Sequence, residues 1–328
     1  MDNYPTVVNS KSIKNSTIQE ALECLKKLMR QDWKPFSESK GIVITTTNAP
    51  SNMKCNFPPT KTEMLVPEGI YPFATLNVAG FADALPEFDN DTEMIEIVNV
   101  IDGVVKIHAV IKSPWPVSPR EIVCDCSPFM YDDDLQCFMT IQRSVTHPDF
   151  PPNSNGNVTA KVHVIAQMVK ETSKHGEYKA IHVQCVDPNG DIPTLLSPII
   201  SKKGAMHPKN VFDFVQKVGC PPALHGSYLS KLDLQFKKKK YSGIYILPDG
   251  FACETIIDPN FYNTGVQLKV SDNVVVKRTK LGFSICSKGT REVRIELIPL
   301  KYGKAGDFLQ KTFDDEQATS PLKRKASD

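Results

Sequence analysis

The chain has 328 residues, of which 41% are hydrophobic and 23% charged, with a formal net charge of +2. That length suits one large or two ordinary domains, and that composition can build a core. A charge so near zero gives no ground for general attraction to nucleic acid or to a membrane surface. The opening residues are polar, unlike a signal peptide, and no window reaches the roughly 18 consecutive apolar residues of a membrane span. The nine cysteines are odd in number and scattered. Without an export signal they read as reduced thiols in a cytoplasmic protein. Cys124 and Cys126 form a C-x-C without the second pair a zinc site needs, so neither a metal nor a cofactor is expected.

The first element is a helix. Ser16 and Gln19 have capping-box spacing, and Ile18, Leu22, Leu25 and Met29 follow at helical intervals. "GIVITTT" (41–47) and "TEMLVP" (62–67) read as strands, and "NVAGFADALP" (77–86) as a short helix ended by Pro86. A series with period two comes next. Val105, Ile107, Ala109 and Ile111 share one face of a strand, as do Ile122, Cys124 and Cys126 of the next. Leu135, Cys137, Met139 and Ile141 continue the pattern. So do Val158, Ala160, Val162, Val164, Ala166 and Met168, and then Ile181, Val183 and Cys185. Such alternation predicts an antiparallel sheet with these residues inward and His163 and His182 outward in solvent. Several of the inward residues are small or soft. They are compatible with a cavity, and equally with a core filled by large helix side chains.

A helical segment follows "DPNGDIP" (187–193), breaks near Gly204, and restarts at "HPKNVFDFVQKVG" with Val211, Phe212, Val215 and Val218 as its apolar stripe. Pro221-Pro222 marks a domain boundary. Seven short candidate strands between Tyr228 and Leu300 suggest a small β-sandwich or barrel, and residues 303–328 read as a disordered tail. The expected division is therefore 1–222, 228–302 and 303–328.

Three segments, in this order, resemble those of START domains, lipid-transfer domains related to the steroidogenic acute regulatory protein. "KSPWPVSPREIV" (112–123) resembles the family's Pro-rich loop leading into a strand through Ser118, Pro119, Arg120 and Glu121. "SVTHPDFPP" (144–152) resembles its hairpin segment. "VDPNGDIPTLL" (186–196) resembles its lead-in to the last helix through Asp187, Gly190 and Pro193. Glu121 stands where Asp is usual and Phe88 where Trp is usual. Ile107 and Cys126 stand where some sterol-binding members carry a buried acid–base pair, which puts that kind of sterol specificity in doubt.

The resemblance covers roughly residues 15–220 and implies an α+β helix-grip fold: a curved antiparallel sheet gripping a long C-terminal helix, here followed by a small all-β domain. It implies one lipid (phospholipid, sterol or sphingolipid) in an apolar cavity, passing to and from membranes by transient surface contact and without catalysis. The expected wall is Ile107, Ala109, Ile111, Ile122, Cys124, Cys126, Cys137, Met139, Val162, Val164, Ala166, Ile181, Val183, Phe212 and Val215. The expected gate is the last helix with loop 113–119, represented by Trp115, Pro116, Arg120 and Gly204. Trp115 is either a membrane-dipping lid residue or an anchor under the sheet, and Arg120 is a structural latch. Alternatives are a lipid-sensing regulatory protein or an enzyme of the helix-grip class. Nucleic acid is not an expected partner, although "FKKKKY" (236–241) could meet anionic surfaces and "KRK" (323–325) could be a nuclear address.

Overall fold

The computed structural model describes residues 7–313, apart from 40–41, 52, 54, 80–83, 154–155, 194, 223–228, 248–251, 273, 280–281 and 290. Helix α1 (Ser16–Met29) is capped one residue earlier than the capping-box spacing predicts. The Asn15 side chain accepts from the Ile18 amide at 3.0 Å, and Gln19 instead donates to the Ser10 and Ile13 carbonyls. The N-terminal segment is tied down by Asp132, which is fully buried. Asp132 accepts from the Ser10 hydroxyl at 2.6 Å and faces Lys26 of α1 at 3.1 Å.

One large sheet organises the first 220 residues. Its strands are β1 (Val8–Asn9), β2 (Lys34–Ser39), β3 (Ile42–Thr46), β4 (Thr60–Leu65), β5 (Thr92–Ile101), β6 (Val104–Ile111), β7 (Arg120–Cys126), β8 (Met130–Asp132), β9 (Cys137–Ser144), β10 (Val158–Thr159), β11 (Lys161–Glu171) and β12 (Tyr178–Asp187). The main path runs β2–β3–β4–β12–β11–β9–β7–β6–β5, antiparallel throughout. Between β4 and β5 lie two short helices, α2 (Ala74–Ala79) and α3 (Leu85–Phe88). Pro86 therefore starts a helix where the sequence predicts an end, as suits a residue with fixed φ and no N–H to lose. After β12 come α4 (Ser197–Ala205) and α5 (His207–Val218), parted at Met206 close to the predicted break.

Both faces of the central strands are covered. Helix α1 lies on one face through Ile18, Leu22, Leu25 and Leu28. Helices α4 and α5 lie on the other, where Thr62 of β4 donates to the Ala205 carbonyl at 2.7 Å.

The remaining chain forms β13 (Leu229–Gln235), β14 (Lys240–Leu247), β15 (Ala252–Ile256), β16 (Val266–Val270), β17 (Val274–Arg278), β18 (Gly282–Ser287), β19 (Arg291–Pro299) and β20 (Phe308–Thr312). They make a five-stranded sheet, β13–β14–β19–β16–β20, and a three-stranded one, β15–β18–β17. All seven predicted strands are present, and the expectation of a tail from residue 303 is corrected. Strand β20 pairs in parallel with β16, a long-range pairing for which the local pattern "FLQKT" carries no signal. Residues 314–328, with the basic "KRK", lie outside the described residues.

This β module has no separate core. Val211, Phe214 and Val215 of α5 share one cluster with Tyr241, Tyr245, Phe261 and Phe283. The Phe88, Phe214, Phe236 and Phe261 rings form a chain with centroid spacings of 5.1, 5.4 and 5.8 Å. At Gly219, φ is +85°, and a Cβ would meet the Phe261 amide nitrogen at 2.2 Å. Only glycine ends α5 this close to the second module.

Candidate functional site

Between the sheet and α4 lies a cavity of about 350 Å³. The sheet supplies Ile95, Ile97, Val105, Ile107, Ala109, Ile111, Ile122, Cys126, Ala160, Val162, Ile165 and Val186. Helix α4 supplies Ile200, Ser201 and Gly204, and the start of α5 supplies His207 and Asn210. Leu229 and Leu232 of β13 reach the lining from the second module, anchored by a Gly103 amide donating to the Leu229 carbonyl at 3.1 Å.

Of the expected wall, Ile107, Ala109, Ile111, Ile122, Cys126 and Val162 line this cavity. Cys124 is fully buried beside Ile107 and Val162 and does not reach the lining. Cys137, Met139, Val164, Ala166, Ile181 and Val183 lie on the opposite face, packed against α1. Two causes explain this correction. On β9, β11 and β12 the more apolar set of alternate residues marks the face that α1 seals, and the polar set turns toward the cavity. On β11 the pairing with β12 also shifts register between Val162 and Val164. A bulge of one residue exchanges the faces of everything beyond it, so Val162 faces the cavity while Val164 and Ala166 do not. Phe212 and Val215 are buried without reaching the lining, and Val215 packs into the second module.

The cavity's polar groups are those placed outward or passed over in the sequence. Thr140, Gln142, Gln167, His182 and Gln184 all line it. Their positions come from strand register. Gln167 pairs directly with His182 on one side and Thr140 on the other, and Ile165 likewise sits between Gln184 and Gln142. His182 is 3% exposed, which corrects its expected solvent position, and its ring stacks on His207 with centroids 5.4 Å apart. His163, also expected in solvent, is buried in the bulge. Burial drives the His182 imidazole down to about 3 and that of His207 to about 4, the latter partly offset by Asp89. Both rings are therefore neutral near pH 7. Neither Nε2 of His207 nor the Thr140 hydroxyl has a hydrogen-bond partner, and the His182 ring has only the Gln184 side chain within reach, which leaves one of its nitrogens open. The signal available in sequence was the run of polar residues opposite a fully apolar strand face.

The charged lining residues are each engaged with a neighbour. Lys203 of α4 meets Asp91 at 2.9 Å. Asp89 accepts from the Asp91 amide at 3.0 Å and from the Thr92 hydroxyl at 2.9 Å. Arg120 donates to the Pro188 carbonyl at 3.0 Å, the Asn189 carbonyl at 2.8 Å and the Ser118 carbonyl. It thus fastens the β7 start to the lead-in of α4, and its desolvation lowers its pKa. Trp115 and Pro116 are exposed on the 112–119 loop, Trp115 at 91%, which removes the anchor alternative. Leu195 is 87% exposed and Ile199 49%, both on the segment that includes α4. At Gly204 a Cβ would meet the end of the Gln184 side chain at 2.6 Å, so a larger residue there would have to displace that carboxamide.

The four lysines of 236–241 do not form one patch. Lys237 meets Glu87 at 3.6 Å, Lys239 donates to the Phe261 carbonyl, and Lys240 meets Glu296 at 3.3 Å. Among the described residues no group of His, Cys, Asp and Glu is arranged to hold a metal, and no helix is long and apolar enough to cross a membrane.

A curved antiparallel sheet closed by C-terminal helices over an apolar cavity defines a helix-grip protein of the α+β class. The START domain model matches residues 17–219, and the chain belongs to that family, whose members are generally non-enzymatic lipid-binding domains. Solved structures similar to it include the human StAR-related lipid transfer protein 5, at 17% identity and TM-score 0.49, covering 62% of this chain and 98% of that one. The lipid transfer and protein localization domain of human StarD13 (DLC2) is 17% identical with TM-score 0.45, covering 61% and 98%. A STAR-related lipid transfer protein fragment from Xanthomonas axonopodis is 18% identical with TM-score 0.45, covering 56% and 98%. No curated protein sequence gives a significant match.

Proposed function

We propose that this chain holds one lipid in the cavity between its sheet and α4 and passes it between membranes without chemical change. The observation that carries this reading is the cavity of about 350 Å³, whose sheet wall is Ile, Val and Ala over β5, β6, β7 and β11. Each CH₂ buried there gains about 0.8 kcal/mol relative to water, which offsets, carbon for carbon, the cost of leaving the bilayer core. Trp115, Leu195 and Ile199 are exposed on the two segments that frame the rim, where an amphipathic ring and two aliphatic side chains suit the headgroup region. The moving part is α4 with the 112–119 loop. Its closed position is held by Lys203–Asp91, and Met206 separates it from α5.

Two histidines in a cavity raise the enzyme reading again, and the geometry argues against it. A general base needs a pKa near the working pH and a partner that orients it. His182 at about 3 and His207 at about 4 are far too weak, and no carboxylate bonds to either ring. Burial pushes the Cys126 thiol well above its ordinary value, away from the nucleophilic thiolate.

The test is native mass spectrometry of the full chain after incubation with mixed liposomes. One retained lipid per chain is expected. A chain that returns bare, from vesicles of every headgroup class, overturns the carrier reading. We place the protein in the cytoplasm, at membrane surfaces during exchange.

A further inference from the structure

The cavity carries a polar subsite whose chemistry selects the lipid. Three side chains from adjacent strands, Thr140, Gln167 and His182, stand in one cross-strand row and all face the cavity. His207 stacks over the row from the start of α5. A buried polar atom without a partner costs about 1–3 kcal/mol, so such atoms are normally satisfied. Here the Thr140 hydroxyl and His207 Nε2 are left open around one space, together with the His182 nitrogen that does not face Gln184. The Gln184 side chain donates to the Ser201 carbonyl at 3.4 Å and turns its other end to one His182 nitrogen.

We propose that this row is the headgroup subsite, and that it takes an uncharged lipid whose polar end is a hydroxyl or amide. The inference rests on the carrier reading above. A neutral imidazole offers one N–H and one acceptor nitrogen, a hydroxyl offers both roles, and so does a carboxamide. An alcohol or amide that donates and accepts complements this mixed set. A phosphate does not, because it only accepts and its charge needs a cation. The lining cations are all engaged: Arg120 with the Pro188 and Asn189 carbonyls, Lys203 with Asp91, and Lys112 with the Asn90 carbonyl. Along β12 the row is six residues in from Pro188, the carbonyl Arg120 holds, or about 20 Å at 3.3 Å per residue. Asp89, the nearest charge to His207, is negative. A buried anion there would lack compensation on every side. The cavity volume points the same way: about 350 Å³ is near the lower end of the roughly 300–1,000 Å³ of small-molecule sites, and suits one chain or ring system.

A matched pair of ligands tests this. Monoacylglycerol and lysophosphatidic acid of the same acyl chain differ only in the phosphate. Binding of each to the full chain is measured by displacement of a fluorescent fatty alcohol. Monoacylglycerol is expected to bind at least tenfold tighter. His182→Phe, which keeps the ring volume, and Thr140→Val, which keeps the shape, should each weaken it about tenfold. Neither should weaken a hydrocarbon of equal length. Equal or tighter binding of lysophosphatidic acid overturns the headgroup assignment and leaves the carrier reading standing. Unchanged monoacylglycerol affinity in Thr140→Val, whose fold is least at risk, overturns it as well. If no lipid or alcohol binds at all, both readings fall together.

Discussion

Acidification from pH 8 to pH 5 should destabilise the closed protein by about 4 kcal/mol through His182 and His207 alone. In the unfolded chain an imidazole titrates near 6.5, whereas in the fold burial holds His182 at about 3 and His207 at about 4. The native state thus requires both rings neutral. Their contribution is complete above about pH 6.5 and is lost as pH falls, down to the folded values. At pH 5 each ring has forfeited about 1.5 units, or about 2 kcal/mol. The groups facing the pair are Asp89, Gln184, Gln167 and Phe88, and only Asp89 is charged. The assay is urea unfolding of wild type and His182→Gln/His207→Gln at pH 5, 6, 7 and 8. The other histidines and the carboxylates remain in both proteins and cancel in the difference. The double variant should lack about 4 kcal/mol of the wild-type loss. Parallel stability curves for the two proteins would refute the reasoning, because they would mean that the rings are already wet.

Other expectations are simpler. Trp115→Ala should change stability by no more than about 0.5 kcal/mol, since the residue is 91% exposed, yet slow lipid movement between vesicles. Equal loss in both would assign it a packing role. Asp132→Ala should cost about 3 kcal/mol in chemical denaturation, because the Ser10 hydroxyl and the Asp134 and Leu135 amides lose their acceptor and Lys26 is left with Asp134 alone. Cys55 is half-buried, and its contact with the Cys185 thiol lowers its pKa, while Cys124, Cys137 and Cys220 are each pushed up to about 12 by burial. Iodoacetamide mass mapping of the native protein should therefore find Cys55 alkylated well before those three.

The sequence rendered β6 and most of β7 well and the middle of the sheet poorly, for one physical reason. On β6, Lys106 answers Asp125 and His108 sits beside Glu96 on the far face, so alternation separates an apolar wall from a charged one. On β9, β11 and β12 both faces are covered. There the alternation distinguishes a dry packing face under α1 from a cavity face that carries Thr, Gln and His. Reading "more apolar" as "toward the cavity" then reverses the assignment. The bulge after Val162 adds a second reversal that no local pattern announces. The role of Arg120 as a latch was readable from its turn. The pairing of His182 with His207 was not, because a helix and a strand meet there only in three dimensions.

The seamless core between α5 and the β module changes what the family-matched segment can do alone. A fragment stopped at Gly219 would strip Phe214 of the Phe236 ring and Val215 of the β-module side chains that cover it, and would remove Leu229 and Leu232 from one end of the cavity. Such a piece would be both sticky and leaky. It also means that the two C-terminal helices have unequal freedom. Like a masonry post, α5 is built into the wall, and in the exchange proposed above α4 is the leaf hung on it.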